Sequence, residues 1–362
     1  MKSNKIITDI EQLTPEWLTR IFKNKGYLSQ GKVTKIIKKK SQETITSHVH
    51  FLELNFSTDA QTEPPSPEIV VKIPKDIDEF KLWGRQEAKF YSIIAENMID
   101  MPILNCYEAV FSEESGLSHI IFENISKTHE TISGLPFGLA PSRQHFEKAI
   151  ESLAEIHAFW WDHKNLEDLS KQSRGPIFLF LRIVKNEALQ RFLEDVGDNL
   201  SERRLSLLKT IFSLYPSALQ KRFKKKNITL IHNDAHLGQF FYPKDIESKK
   251  SKTLLSDWQG WNISVGGQDL VYMIGFYLFP ENRHLIEKDL IKHYHRHLIK
   301  RGLTKYSWDN CWYDYKLFTF LNIYTCIWWW NRGTVSSSFF WAKLETTLST
   351  IENLNCMELL DS

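Results

Sequence analysis

The chain has 362 residues, which is enough for two domains with hydrophobic cores of their own. Its 46 basic and 44 acidic residues almost cancel, so the charge gives no reason to expect nucleic acid or a membrane surface as a partner. The four cysteines lack the spacing of a metal site, and a chain of this size does not need disulfides. We therefore expect reduced thiols and a cytoplasmic protein.

The N-terminal residues lack the long apolar run of a signal peptide. The most apolar segment, residues 318–330, includes Asn322 and Thr325. It is shorter than the roughly 20 apolar residues that a membrane-spanning helix needs, so we expect a buried helix there.

The first third of the chain predicts one helix followed by strands. Thr14 precedes Pro15 in "LTPEWLTRIF", which is typical of a helix N-cap with proline in the first turn. The segment "KVTKIIKKKSQETITSHVHFLELNF" predicts two strands joined by a polar turn at residues 41–47. "EIVVKIP" predicts a short buried strand that ends at Pro74.

The next helix is predicted from one apolar stripe, formed by Phe80, Trp83, Phe90 and Ile94. Residues 101–126 predict two further strands around a Ser-Gly turn. From residue 142 onward the pattern becomes helical. We expect helices capped by Ser142 and Ser201, and further helices near 268–278, 284–301, 307–330 and 337–354.

The contrast between a strand-rich first third and a helix-rich remainder predicts an α+β fold with two lobes. We expect an N-lobe at 1–125, with a nucleotide-binding sheet and a helix. The C-lobe at 126–362 is expected to contain a catalytic hairpin and a helical acceptor-binding region.

Two carboxylates suggest the chemistry of the C-lobe. Asp234 follows a short apolar strand in "LIHNDAHLGQ", and Asp257 ends a second one in "LLSDWQGW". If these strands pair as a hairpin, both carboxylates reach one edge. With the amide of Gln239 they form an oxygen-rich site that suits Mg²⁺, as phosphoryl transfer requires. Taken singly, each aspartate is more typical of a turn at the end of a strand.

Lys72 lies within an apolar strand, where a lysine without a partner is costly to bury. Glu87 follows 15 residues later in the predicted helix and can supply the opposite charge. Extension of Lys72 to solvent from an edge strand is the alternative. A zinc site formed by His232 and His236 would require a helix and a third ligand, and no spacing in the sequence suggests that ligand.

The motifs "HNDAHLGQ", "SDWQ" and "DLVY" in this order resemble the aminoglycoside/choline kinase-like phosphotransferases. They are similar in particular to the ecdysteroid kinase-like branch, whose pattern runs HGDxHxxN, then IDWQ, then DLAY. "EIHAFWW" resembles a further segment of that branch. The resemblance implies a bilobal protein-kinase-like fold and transfer of the γ-phosphoryl group of ATP to a hydroxyl of a small molecule.

The resemblance also implies roles for individual residues. Asp234 would be the catalytic base, and His232 would brace its loop. Asp257 would hold Mg²⁺, with Gln239 at the position of the usual asparagine. Asp269 would cap a helix and tie down the catalytic loop.

In the N-lobe, Lys72 and Glu87 would form the pair that grips the phosphates. "IIFENIS" resembles the linker between the lobes, where backbone groups around Glu123 and Ile125 would bind adenine. Candidate substrate contacts are His236, Trp258 and Gln259, and a structural role is as well founded for the last two. The 13% aromatic share suggests an apolar acceptor such as a steroid, a macrolide or an aromatic metabolite, although core packing explains these residues equally well.

Two departures from the family pattern motivate a second hypothesis. Gln239 replaces asparagine, and the turn "KSQETITSH", expected over the phosphates, lacks the glycine that allows close approach of backbone N–H groups. The alternative is a retired kinase-fold protein that binds a nucleotide or metabolite without turnover. Nucleotidyl transfer on the same fold is a third possibility.

Overall fold

The computed structural model describes residues 6–61, 66–132, 141–173, 187–223, 226–248, 250–333 and 335–360. The chain divides into two units. Unit 1 comprises Met1–Thr131 and Phe241–Gly260, and unit 2 comprises Ile132–Phe240 and Trp261–Ser362. The sequence analysis placed the boundary at residue 125 and did not anticipate that residues 241–260 belong to unit 1.

The strands, in chain order, are β1 (Val33–Glu43), β2 (Ser47–Phe56), β3 (Glu68–Pro74), β4 (Cys106–Phe111), β5 (Ser118–Glu123), β6 (His129–Thr131), β7 (Thr229–Ile231), β8 (Phe240–Pro243), β9 (Leu254–Leu255) and β10 (Asn262–Ser264). The helices are α1 (Pro15–Asn24), α2 (Asp78–Lys89), α3 (Arg143–Trp160), α4 (Leu166–Gln172), α5 (Ala188–Gly197), α6 (Glu202–Phe223), α7 (Gly267–Leu270), α8 (Pro280–Lys300), α9 (Trp308–Phe318), α10 (Leu321–Arg332) and α11 (Ser337–Asn353). Unit 1 contains a small antiparallel sheet and unit 2 is mainly helical, which confirms the expected α+β class.

The main sheet of unit 1 has five antiparallel strands in the order β1-β2-β3-β5-β4. Helix α1 begins where expected, because Thr14 Oγ1 accepts the Trp17 N–H at 3.2 Å. Its buried face and the sheet share one hydrophobic core, which includes Leu18, Phe22, Leu52, Val71 and Ile121. This core fixes β3, the strand that carries Lys72.

The apolar stripe predicted for α2 is only partly correct. Phe90 and Ile94 are buried, but Phe80 and Trp83 are partly exposed, and the α2 residues that are buried are Gly84, Gln86, Glu87 and Ala88. A π-helical turn at Phe90–Ile94 follows α2 directly and changes the angular phase of the helix. A single helical period therefore cannot describe the whole segment, and Glu87 faces inward.

The predicted hairpin between the strands before Asp234 and Asp257 is wrong. Strand β7, which precedes Asp234, pairs antiparallel with β10. Strand β9, which precedes Asp257, belongs to a three-stranded sheet in the order β6-β8-β9. The sequence showed two short apolar strands in succession, but their apolar runs are too short to specify a pairing partner.

The single helix predicted near 307–330 is in fact two helices, α9 and α10. Between them the Thr319 N–H donates to the Lys316 carbonyl at 3.3 Å, and the Ile323 N–H donates to Phe320 at 3.2 Å. These bonds reach three residues back instead of four, which tightens the backbone and ends α9. Among the described residues, no helix combines the length and apolarity that a membrane crossing requires.

His119 on β5 is a buried titratable group with a defined protonation state. The side chain is fully buried, and its Nδ1 accepts the Ile7 N–H at 3.1 Å. Its ring also contacts Trp17, with centroids 5.6 Å apart. Burial lowers the pKa of His119 from 6.5 to about 4, so the imidazole is neutral at neutral pH.

We expect the free energy of unfolding to fall as the pH is lowered from 6.5 towards 4. The unfolded state binds a proton at residue 119 more readily than the folded state does, so acid favours unfolding, by up to about 3 kcal/mol from this group. Urea unfolding at a series of pH values measures the slope. His119→Gln should flatten it, and His129→Gln, at a more exposed position in the same unit, should not. An unchanged slope in His119→Gln would contradict the assignment.

Candidate active site

The amino group of Lys72 lies between two carboxylates in unit 1. Its Nζ is 2.6 Å from Glu87 Oε2 and 2.6 Å from Asp257 Oδ1. Lys72 projects from β3, Glu87 from α2, and Asp257 from the segment that follows β9. Two consecutive elements, β3 and α2, and a segment far along the chain therefore meet at the charge of Lys72. The predicted Lys72–Glu87 pair is present, and Asp257 is its additional partner.

Because these three side chains are largely buried, their charges interact strongly with one another. The side chain of Glu87 is 2% exposed, that of Lys72 is 16% exposed, and that of Asp257 is 25% exposed. Burial by itself lowers the pKa of Lys72, but the charges of Asp257 and Glu87 outweigh it and raise the pKa, so the ammonium group is charged at neutral pH. Burial raises the pKa of Glu87 to about 7, against the opposing charge of Lys72.

The backbone conformation at Asp257 directs its side chain towards this cluster. Asp257 has φ of 60°, in the left-handed region that aspartate tolerates better than most residues. Before it, β9 is attached to the rest of unit 1 by the Leu255 N–H, which donates to the Pro102 carbonyl at 2.8 Å. After it, the Gln259 amide nitrogen lies 3.4 Å from Asp257 Oδ2. The carboxylate is thus contacted through both oxygens.

Trp258 packs in the interior of unit 1. It is fully buried, and its ring stacks on Phe90 with centroids 4.0 Å apart and an interplanar angle of 4°. Its indole N–H donates to the Leu255 carbonyl at 3.3 Å. Of the two roles that the sequence left open for Trp258, these contacts favour the structural one, since a fully buried indole offers no surface to a substrate.

In unit 2, Asp269 holds the loop that carries Asp234. Its Oδ2 accepts the His232 N–H and its Oδ1 accepts the Asn233 N–H, both at 2.7 Å. His157 Nε2 on α3 lies 3.2 Å from Asp269 Oδ2, and both residues are fully buried. The loop attachment that the resemblance implied for Asp269 is therefore present, and His157 supports it from behind.

A glycine is required next to this anchor. A Cβ on Gly266 would lie 2.2 Å from the Tyr294 hydroxyl and 2.7 Å from His157 Nδ1. These two groups are themselves 2.8 Å apart and hydrogen-bonded. Any larger residue at position 266 would displace the side chains that position Asp269.

The carboxylate of Asp234 is contacted from two sides within unit 2. The Gln239 amide donates to Asp234 Oδ2 at 3.0 Å. The hydroxyl of Tyr272 forms a second hydrogen bond with Asp234; burial, and then the charge of Asp234, raise the pKa of Tyr272, so this hydroxyl keeps its proton. The carboxylate is therefore fixed in orientation by one amide and one phenol.

His232 and His236 brace the same loop and do not form a helical pair. His232 is fully buried, and its Nδ1 accepts the Asp234 N–H at 3.3 Å. His236 precedes a 3₁₀ turn at Leu237–Gln239, and its Nδ1 accepts the Gly238 N–H at 3.1 Å. Its ring contacts Tyr277, with centroids 5.2 Å apart. Since both Nδ1 atoms bind backbone, these contacts support bracing roles.

The segment with Glu123 and Ile125 continues from the end of β5 into a tight turn. The Glu123 N–H donates to the Asn105 carbonyl at 3.0 Å. The Ile125 carbonyl accepts the N–H groups of Thr128 and His129 at 3.0 and 2.9 Å. This segment is therefore well held within unit 1, and its proposed contact with adenine stays a prediction.

Four residues of the loop network, Asn233, Ser264, Gln268 and Tyr272, escaped the sequence analysis. Asn233 has φ of 67°, and its Oδ1 accepts the Gln268 amide at 2.6 Å. Ser264 Oγ in turn donates to Gln268 Oε1 at 2.7 Å. Tyr272 lies in the quoted "DLVY" motif, and that motif was the signal for its role. Asn233 and Gln268 act through contacts that no local pattern shows.

The oxygen atoms around both loops are of the kind that Mg²⁺ binds. In unit 1 these oxygen atoms belong to the carboxylate of Asp257. In unit 2 they belong to the carboxylate of Asp234 and the amide of Gln239. Their chemistry fits the predicted metal ion, because carboxylate and amide oxygens are hard ligands. To hold the ion, Asp257 would have to exchange its contact with Lys72 for a contact with the cation.

We expect Asp269→Asn to lower the free energy of unfolding by about 2–3 kcal/mol, because one of the two buried backbone donors loses a charged acceptor. Urea unfolding of the purified protein measures the change. Asp309→Asn, the same substitution at an exposed position in the first turn of α9, should change stability by less than about 0.5 kcal/mol. Equal effects in the two variants would contradict the anchoring role.

Several solved structures have a similar fold. The GDP complex of wild-type aminoglycoside 2'-phosphotransferase-IIIa has a TM-score of 0.56 and 14% identity, and covers 94% of this chain and 99% of its own. The GDP and kanamycin complex of APH(2")-IIia has a TM-score of 0.54 and 14% identity, with 93% and 98% covered. The structure of the microcompartment-associated aminopropanol kinase has a TM-score of 0.51 and 11% identity, with 91% and 95% covered. At these identities the likeness shows the kinase-like phosphotransferase fold alone.

No curated protein matches the chain in sequence. A profile of the Ecdysteroid kinase-like family matches residues 88–306, which is more than half of the chain and includes Asp234, Gln239, Asp257 and Asp269. The chain therefore belongs to the Ecdysteroid kinase-like family.

Proposed function

We propose that the chain is a small-molecule kinase that transfers the γ-phosphoryl group of ATP to a hydroxyl of its acceptor. The observation that carries this proposal is the position of Lys72, held on a sheet strand between Glu87 of α2 and Asp257. A lysine paired with a helix glutamate beside a metal-binding aspartate is the arrangement that kinases use for nucleotide phosphates.

In this proposal Lys72 contacts the phosphates and Glu87 keeps its amino group in place. Backbone groups around Glu123 and Ile125 bind adenine. Asp257 and the amide oxygen of Gln239 are the proposed Mg²⁺ ligands, and the bound ion would neutralise phosphate charge. Each of these residues therefore acts by positioning or by charge.

Asp234 is proposed as the catalytic base. It accepts the proton of the acceptor hydroxyl and orients that oxygen towards the phosphorus. Its hydrogen bond with Tyr272 supports this role, because it orients the carboxylate before the acceptor arrives. His232 stabilises the loop and does no acid–base chemistry. His236 and Gln259 are proposed substrate contacts, and the cytoplasm is the proposed location.

The structurally similar proteins support the proposed reaction class and suggest a second nucleotide to test. They include a complex with GDP and kanamycin and an aminopropanol kinase. Because GDP complexes occur among them, ATP and GTP should both be tested as donors. Mass spectrometry of a cell extract incubated with the protein and each nucleotide identifies the acceptor as the metabolite that gains the mass of a phosphate.

Asp234→Asn should lower kcat for that acceptor by about 10²–10⁴-fold, because an amide cannot accept the hydroxyl proton. The KM for the nucleotide should change little. Asp245→Asn, the same substitution in the exposed turn after β8, is the matched control and should keep full activity. If Asp234→Asn retained wild-type turnover, Asp234 would not be the base.

Glu87→Gln should raise the Mg²⁺ concentration that gives half-maximal nucleotide binding by several fold. Lys72 would then depend more on Asp257 for its compensating charge, so Asp257 would exchange that contact for the cation less readily. Glu79→Gln, two turns earlier on the same helix, should leave the Mg²⁺ dependence unchanged. Calorimetric titration of nucleotide at several Mg²⁺ concentrations makes the comparison, and identical curves for both variants would refute the coupling.

One contact favours a second candidate function, a retired kinase that binds its ligands without turnover. The Gln239 amide donates to the Asp234 carboxylate and so occupies one oxygen of the proposed base. Saturable nucleotide binding without product, for every acceptor and for both nucleotides, would support this candidate. Release of pyrophosphate instead of ADP would indicate nucleotidyl transfer.

A further inference from the structure

Two histidines and a glutamate meet on the pair of long helices α3 and α8, in unit 2. His293 and His297 are four residues apart on α8, so their side chains lie on the same face of that helix. Glu151 projects towards them from α3. All three side chains are partly exposed, by 15% for His293, 16% for His297 and 32% for Glu151. An ion and a water molecule can therefore reach them.

The distances match the edges of a tetrahedral metal site. Glu151 Oε1 lies 3.2 Å from His293 Nε2 and 3.9 Å from His297 Nε2. The three ligand atoms all lie within 4.8 Å of one another. In a tetrahedral zinc site with bonds of about 2.0–2.1 Å, neighbouring ligand atoms are about 3.3 Å apart. Small side-chain rotations are enough to bring all three atoms to that spacing.

The helices that carry these residues are held in register by other contacts. Helices α3 and α8 pack directly against each other. Tyr294 of α8 and His157 of α3 form the hydrogen bond that supports Asp269. The backbone around the histidines and Glu151 is therefore preorganised, and few degrees of freedom have to be fixed when an ion binds.

We propose that Glu151, His293 and His297 form a binding site for a divalent transition metal ion of the Zn²⁺ or Co²⁺ type. Two imidazole nitrogens and one carboxylate oxygen favour these ions over Mg²⁺ and Ca²⁺, which bind oxygen ligands. A water molecule completes the tetrahedron. The ion links α3 to α8 and stabilises the helix pair that supports Asp269.

A hydrogen bond between Glu151 and His293 accounts for only part of this arrangement. One imidazole is enough to satisfy that bond, whereas the second ring, on His297, also lies beside Oε1, with the two ring centroids 4.5 Å apart. Convergence of two imidazoles on one carboxylate oxygen is the geometry that a shared ion explains.

Three cationic side chains next to the cluster oppose binding of the metal ion. Lys148 Nζ lies 3.3 Å from Glu151 Oε2. Arg296 Nη2 and Arg301 Nη1 each lie 3.4 Å from the Nδ1 of His293 and His297 respectively. Because a histidine that binds metal through Nε2 carries its proton on Nδ1, these guanidinium groups have to move away. The affinity is accordingly lower than that of a structural zinc site, and removal of one guanidinium strengthens it.

The test uses the full chain, freed of metal with a chelator and titrated with Co²⁺ at pH 7.5. The visible absorption of tetrahedral Co²⁺ reports binding, and competition with Zn²⁺ ranks the two ions. The wild type should bind one Co²⁺ in this geometry. Glu151→Gln and the double variant His293→Gln/His297→Gln should weaken binding at least tenfold. His284→Gln, at an exposed position on the same helix, should leave it unchanged.

Arg296→Gln gives a prediction of the opposite sign. Loss of this guanidinium should tighten Co²⁺ binding several fold, a gain that general weakening of the fold would not produce. Added Zn²⁺ should raise the Tm of the wild type and of Arg296→Gln but not that of the double histidine variant. Equal Co²⁺ binding by the wild type and the double variant, or no saturable binding below about 0.1 mM, would overturn the proposal.

Discussion

The charge of Lys72 is the constraint on which unit 1 depends. An ammonium group in this partly buried position is stable only with compensating charge, and two carboxylates supply it at 2.6 Å. Glu87 belongs to a helix and Asp257 to a distant part of the chain. The same interaction therefore explains why residues 241–260 belong to unit 1, although they follow about 100 residues of unit 2 in sequence.

Unit 2 likewise contains a buried charge that needs stabilising partners, the carboxylate of Asp269. Asp269 is fully buried, and its charge is stabilised by two backbone N–H groups and by His157. Because the donors are consecutive residues of the loop, this one side chain fixes the conformation from His232 to Asp234. Gly266, Tyr294 and His157 then hold the aspartate in place. The loop that carries the proposed base is thus positioned by the helices behind it.

Helices α3 and α8 connect this anchor to the proposed metal cluster. His157 and Glu151 lie on α3, and their respective partners, Tyr294 and the histidine pair, lie on α8. An ion bound at the cluster and the hydrogen bond between His157 and Tyr294 would hold the same two helices together at two positions along their length. The arrangement offers a physical route by which metal content affects the rigidity of the loop without any contact with the reacting groups.

Sequence patterns and motifs were enough to predict the α+β class, the cap at Thr14, the charged pair of Lys72 and Glu87, the anchoring role of Asp269 and the family. These features follow from local patterns or from a motif with fixed spacing, which survive without knowledge of long-range contacts. Four features became visible only in the folded chain: the pairing of β7 with β10, the assignment of residues 241–260 to unit 1, the inward face of α2 and the partners of Asp234. Short strands do not encode their partners, a π-helical turn changes the helical phase, and a contact such as that of Tyr272 with Asp234 exists only after the chain has folded.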